Sequence, residues 1–187
     1  MREDSTPTVD DPFVGEILAG TYRVTRPMGS GGMGAVYEAA HTRLNKRFAI
    51  KTLHREIMAN EEAYRRFRRE AEITSELGHP HIVKVHDFAH TSDGQPYIVM
   101  ELLAGEELEE RLGREGRLPL PVVTKLLLEV ASGLAAAHAK GIIHRDLKPQ
   151  NIFLTRYGER QDLPKILDFG ISKIKGSASV LTRQDSY

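Results

Sequence analysis

The hydrophobic positions of this chain change period partway along. Over roughly the first half they fall in short alternating or wholly apolar runs, which is the pattern of strands. Tyr22-Arg23-Val24-Thr25, Ala35-Val36-Tyr37-Glu38-Ala39 and Arg47-Phe48-Ala49-Ile50-Lys51-Thr52-Leu53 read as three of them. In the third, either Phe48 and Ile50 or Ala49 and Lys51 face inward, because neighbouring side chains point to opposite faces. Ile82-Val83-Lys84-Val85-His86-Asp87-Phe88 and Pro96-Tyr97-Ile98-Val99-Met100-Glu101-Leu102 read as two more strands around the turn Ser92-Asp93-Gly94. Between the third and fourth, residues 61–77 read as a helix. Ala63, Phe67, Ala71 and Thr74 share one stripe, and Gly78 followed by Pro80 ends it. Beyond Ala104-Gly105 the period becomes helical over 106–112 and again over 121–140. The second of these has Pro121 in its first turn and Gly141 past its end. The change marks a hinge between a small sheet lobe, 21–103, and a helical lobe, 104–187. The fold class is α+β, with a five-stranded antiparallel sheet and one helix in the first lobe.

Composition narrows the partners. The chain has 187 residues, enough for one domain or two small lobes. Its 26 basic and 26 acidic side chains cancel, which argues against a nucleic-acid groove or a polybasic membrane anchor. With no cysteine there is neither disulfide nor thiolate metal site, and a cytoplasmic location is expected. The polar N-terminus lacks the apolar core of a signal peptide. Residues 1–11 read as disordered, in a leader taken to run to residue 20. The longest apolar region, 122–139, is interrupted by Lys125 and Glu129. It is expected to be a buried helix and not a membrane segment.

Gly29-Ser30-Gly31-Gly32-Met33-Gly34-Ala35-Val36 places glycines where backbone amides can approach phosphate oxygens closely. Alone, the pattern fits a dinucleotide-binding turn or a flexible hairpin. A dinucleotide turn needs a helix directly after the glycines, and here a strand follows. Farther on stand His144-Arg145-Asp146-Leu147-Lys148-Pro149-Gln150-Asn151 and, after them, Asp168-Phe169-Gly170. Together with Ala49-Ile50-Lys51, these residues resemble the eukaryotic-type (Hanks-type) serine/threonine protein kinase family, in the compact wording of its bacterial members. The resemblance covers about residues 22–173.

The resemblance implies a two-lobed kinase fold and ATP- and magnesium-dependent transfer of the γ-phosphoryl group to serine or threonine hydroxyls of proteins. It implies that Met28, Gly29, Ser30, Gly31, Gly32, Met33, Gly34, Val36, Ala49, Lys51, Met100, Glu101, Leu103 and Phe153 bind the nucleotide. Val36, Ala49 and Phe153 would sandwich the purine, and Met100 would stand at the back of the pocket. Lys51 would hold phosphates and needs a carboxylate to fix it. Glu70, within Phe67-Arg68-Arg69-Glu70-Ala71, matches the family's position, with Glu72 as competitor. Asp146 is the implied base, Lys148 the neutraliser of phosphoryl charge, and Asn151 and Asp168 the magnesium ligands. His144 is expected to be a packed ring. Arg145 and Thr182 are the implied regulatory pair, with Ser177, Ser179 and Ser186 as further phosphorylation candidates. Arg65, Arg66, Arg68 and Arg69 form either a solvated helix face or a dock for a phosphorylated loop. The family leaves room for a dimer that autophosphorylates.

Two features depart from the pattern. The stretch 155–165 is longer than usual and reads as a surface loop. The Ala-Pro-Glu element and later helices are missing, so the lobe at 104–187 is read as partial, ending in the activation segment. Four apolar residues of 122–139 without partners would cost about 6–12 kcal/mol, against a total stability of about 5–15 kcal/mol for a domain. The chain is therefore expected to be a fragment or a truncated product with weak or no transfer activity. A non-catalytic, pseudokinase-like scaffold is the alternative, and a small-molecule phosphotransferase a more distant one. Phosphorylation of a peptide by purified 1–187 at rates typical of kinases would contradict the fragment reading.

Overall fold

The computed structural model describes residues 11–32 and 34–169. A six-stranded antiparallel sheet forms the first lobe, in the order β1-β2-β3-β4-β6-β5. Its strands are β1 (Ile17–Leu18), β2 (Tyr22–Ser30), β3 (Ala35–His41), β4 (Arg47–Thr52), β5 (Val85–His90) and β6 (Pro96–Glu101). A short helix α1 (Arg55–Met58) leads into α2 (Glu61–Glu76). The second lobe holds β7 (Gly105–Glu107), α3 (Leu108–Glu115), α4 (Leu120–His138), a 3-10 turn (Pro149–Asn151), β8 (Ile152–Tyr157) and β9 (Arg160–Ile166). Strands β7, β8 and β9 make a separate three-stranded sheet.

Strand β4 uses both of its faces, which resolves the ambiguity in its pattern. Phe48 and Ile50 join Val24, Tyr37, Ala39, Tyr97 and Val99 in one core. Ala49 and Lys51, on the other face, line the cleft between the lobes. The first core is closed by the N-terminal segment, and here the expected leader is corrected. Residues 11–20 belong to the sheet lobe, because Phe13 and Leu18 are buried against it. Phe13 packs on the ring of Tyr37 at 4.8 Å. The Asp11 carboxylate accepts from the Phe13 amide at 2.9 Å and from the Tyr37 hydroxyl at 3.0 Å. The sheet therefore gains a sixth strand, β1.

Helix α2 starts where Asn60 accepts from the Glu62 and Ala63 amides, with Glu61 and Glu62 facing the positive end of the helix dipole. Its stripe of Phe67, Ala71 and Thr74 is buried. Phe67 and Ala71 pack with Leu53 and Ile98, which seats the helix on the sheet. The arginines of the same helix reach its own carboxylates one turn away: Arg65 to Glu61, Arg66 to Glu62, and Arg68 to Glu72.

Two further expectations change. Residues 155–165 are not a loop but the continuation of a hairpin, turning at Gly158 with φ 58°. Arg111 on α3 pins it by donating to Asp162 at 3.0 Å, and Arg160 pairs with Glu129 on α4. Helix α4 is not buried on nearly all faces. Leu126, Val130, Gly133 and Ala137 form one buried stripe, while Leu127 and Leu128 are 61% and 68% exposed. Despite Lys125 and Glu129, its 19 residues are long and apolar enough to meet the length and composition of a membrane span. Its buried stripe nevertheless packs with Ile82, Leu154 and Ile166.

Removing the Phe13 ring leaves a cavity against Tyr37. Phe13→Ala should cost about 3 kcal/mol or more of folding stability. Urea unfolding measures this, and an unchanged midpoint would show that the N-terminal segment is not part of the core.

Candidate active site

Ser30 and Ala35 pair at the tip of the β2–β3 hairpin, and the Gly31 amide donates to the Gly34 carbonyl at 2.8 Å. The hairpin lies directly on the end of β4. A Cβ on Gly34 would stand 1.7 Å from the Thr52 carbonyl oxygen, so only glycine permits this approach. His54 adds a tether, its Nε2 lying 2.9 Å from the Gly31 carbonyl.

Below the hairpin, Lys51 Nζ donates to Glu70 Oε1 at 2.8 Å and pairs with Asp168 Oδ1 at 2.7 Å. Sheet pairing to Val36 and Ile98 fixes the lysine backbone. The packing of Phe67 turns α2 so that Glu70 faces the lysine, while Glu72 points to Arg68 and Arg69. Burial opposes the charge on Lys51, but the carboxylates of Asp168 and Glu70 outweigh it and hold the ammonium above its ordinary range. Burial and the neighbouring Asp168 carboxylate push the Glu70 carboxyl up to about 7, and Lys51 opposes that rise. Burial also disfavours the charged form of Asp168, but Lys51 overrides it and holds the carboxyl low. The Asp168 side chain remains 46% exposed to the cleft.

The loop before β8 carries the remaining polar groups. Arg145 takes φ 63°, a conformation that L side chains rarely adopt and that turns the chain sharply before Asp146. The Asp146 amide donates to the His144 carbonyl at 2.9 Å, and Asn151 Nδ2 donates to the Asp146 carbonyl at 2.8 Å. Lys148 Nζ lies 3.3 Å from Asp146 Oδ2. His144 is a packed ring, 4.9 Å from the buried ring of Phe169, and burial lowers its pKa. Phe169 sits in the second-lobe core and anchors the backbone next to Asp168.

These groups share one cleft. Its inner part, of ≈ 380 Å³, is lined by Met28, Gly29, Val36, Ala49, Lys51, Met100, Glu101, Leu103 and Phe153, with Lys148, Asn151 and Asp168. The adjoining part, of ≈ 520 Å³ beneath the glycine hairpin, is lined by Ser30, Gly31, Gly32, Gly34, Glu70 and Asp146. Met33, Thr182, Ser177, Ser179 and Ser186 lie outside the described residues, and Arg145 does not line either part. Sequence reasoning missed Val83, Leu102, Glu107, Gln150 and Leu167, which also line the inner part. Glu107 gave a signal of another kind, since it caps α3 in a reciprocal box with Glu110.

A hard cation prefers oxygen ligands, and magnesium commonly takes one or two protein carboxylates besides phosphates. The donor set here fits. Asp168 offers a half-exposed carboxylate, and the committed Nδ2 of Asn151 leaves its Oδ1 as the oxygen available to a cation.

Residues 22–185 match the family model described as protein kinase domain. Among curated relatives, the chain is 41% identical over 172 residues to the serine/threonine-protein kinase pkn3 of Myxococcus xanthus, covering 92% of this chain and 31% of that protein. It is 43% identical over 173 residues to the serine/threonine-protein kinase PknA of Mycobacterium tuberculosis, covering 90% and 39%. The crystal structure of the M. tuberculosis PknI kinase domain superposes with a TM-score of 0.71 at 35% identity, covering 85% of this chain and 61% of that one. The fold and cleft are thus those of the two-lobed kinases. The chain belongs to the protein kinase family, in its bacterial Hanks-type branch. It spans about a third of the length of those two curated relatives.

Gly34→Ala should lift the hairpin off β4, since the Thr52 carbonyl is backbone and cannot step aside. Hydrogen exchange at the Gly31 amide, which now donates to Gly34, should quicken about tenfold or more. Unchanged protection would mean that the close approach does not hold the lid.

Proposed function

We propose that the cleft binds ATP with magnesium and transfers the γ-phosphoryl group to serine or threonine hydroxyls of proteins. The observation that carries this reading is the placement of Lys51, held by Glu70 and Asp168, in the same cleft as Asp146, Lys148 and Asn151. The purine would lie between Val36 and Ala49 above and Phe153 below, with its edge toward the backbone of residues 101–103. Lys51 would orient the phosphates, and the glycine hairpin would cover them and exclude water.

Asp146 would accept the hydrogen bond of the incoming hydroxyl and take its proton as the oxygen bonds to the γ-phosphorus. The bond from that phosphorus to the bridging β-phosphate oxygen breaks, and ADP leaves with the electron pair. Lys148, beside Asp146, would balance charge on the transferred group. Asp168 and Asn151 would hold magnesium, which shields the triphosphate charge when bound. Catalysis of this kind is mainly positioning and fixed charge. A cytoplasmic setting and a dimer that autophosphorylates belong to the same proposal. The sharper role for Arg145, pairing with a phosphate on Thr182, belongs to it too.

Asp146→Asn keeps the shape of the site and removes the proton acceptor. Transfer to a serine-containing peptide should fall by about 10²–10⁴, with the Kd for an ATP analogue within about twofold of the parent. Loss of nucleotide binding, or retained transfer, would remove Asp146 from this role.

A further inference from the structure

The two lobes are also joined by backbone hydrogen bonds, away from the chain connector at 101–105. The Val83 amide donates to the Ile166 carbonyl at 2.9 Å, and the Ile166 amide to the His81 carbonyl at 2.8 Å. Together they form a parallel bridge centred on Ile82 and Ile166. Next to this ladder lies a charge cluster. The Glu101 carboxylate accepts from the Lys84 backbone amide at 2.8 Å, and the Glu101 amide donates back to the Lys84 carbonyl at 3.0 Å. The same Oε1 receives Lys165 Nζ at 2.5 Å.

Lys165 is only 8% exposed. Lysine is almost never that buried without a partner, because stripping water from an ammonium is costly. The ion pair therefore ties the end of β6 to β9. Glu101 lines the cleft beside Met100 and Leu103. Lys165 stands opposite Phe153 in the sheet, and Phe153 lines the same cleft. One carboxylate thus couples the connector, the approach to β5 and the cleft floor.

We propose that Lys165 is a positioning residue for the nucleotide. By holding the Glu101 carboxylate, it fixes the connector backbone at a set height over Phe153. The groups that would meet the purine edge are then ordered before the ligand arrives, and binding does not bear that ordering cost. Lys165 does not line the cleft and acts only through Glu101. The inference rests on the reading of the cleft as an ATP site.

The test is the Kd for a non-hydrolysable ATP analogue with magnesium, measured by calorimetry. Lys165→Met keeps the apolar stem and removes the charge. Its Kd should rise about tenfold (~1.4 kcal/mol), with transfer at saturating nucleotide within about twofold of the parent. Lys165→Arg restores the charge and should restore the affinity, which a merely space-filling role would not require. If the methionine variant does not fold, Glu101→Gln is read instead. It still accepts from the Lys84 amide but loses the ion pair, so its affinity should fall in the same direction. Folded Lys165→Met or Glu101→Gln with unchanged Kd overturns the inference alone. A parent chain that does not bind the analogue overturns the ATP reading and this inference with it.

Discussion

A buried ammonium cannot stand alone, and Lys51 is the point on which the cleft depends. Its charge survives burial because two carboxylates from different elements reach it, Glu70 from α2 and Asp168 from the segment after β9. Each carboxylate is there for a packing reason. Phe67 and Ala71 press α2 onto Leu53 and Ile98, and Phe169 is sunk beside His144 in the second-lobe core. The polar cluster is thus the visible end of two hydrophobic arrangements, and loosening either would strand a charge.

The sheet serves the cleft by having no idle face. In β4, Phe48 and Ile50 are buried beneath the N-terminal segment, while Ala49 and Lys51 line the cleft from the other side. The segment at 11–20 shields a core whose opposite side is the cleft roof. The glycine hairpin continues the same sheet, and Gly34 lets it settle against Thr52 where a side chain would hold it away.

Several attachments hold the lobes together, the Lys51–Asp168 pair and the packing of Leu77 and Ile82 on the second-lobe core among them, and two of them flank the back of the cleft. The chain connector is one, and the short parallel ladder of residues 81–83 on β9 is the other. Glu101 belongs to the first and touches the second through Lys84 and Lys165.

Local pattern was enough to find most strands, helix α2 and the motif residues, because alternation, capping and glycine placement are written in neighbouring positions. The resemblance to the kinase family, carried by the motifs around Gly29–Val36, Lys51, Asp146–Asn151 and Asp168, named most of the residues that line the cleft. Local pattern could not place residues 11–20, because Phe13 gains a partner only when Tyr37 arrives from β3. Nor could it see that 155–165 would form strands, because Arg111 and Glu129 pin that hairpin from distant helices. The faces of β4 and the pairing of Lys165 with Glu101 were likewise decided by tertiary structure. Each depends on a contact between segments far apart in the chain, and no local period encodes such a contact.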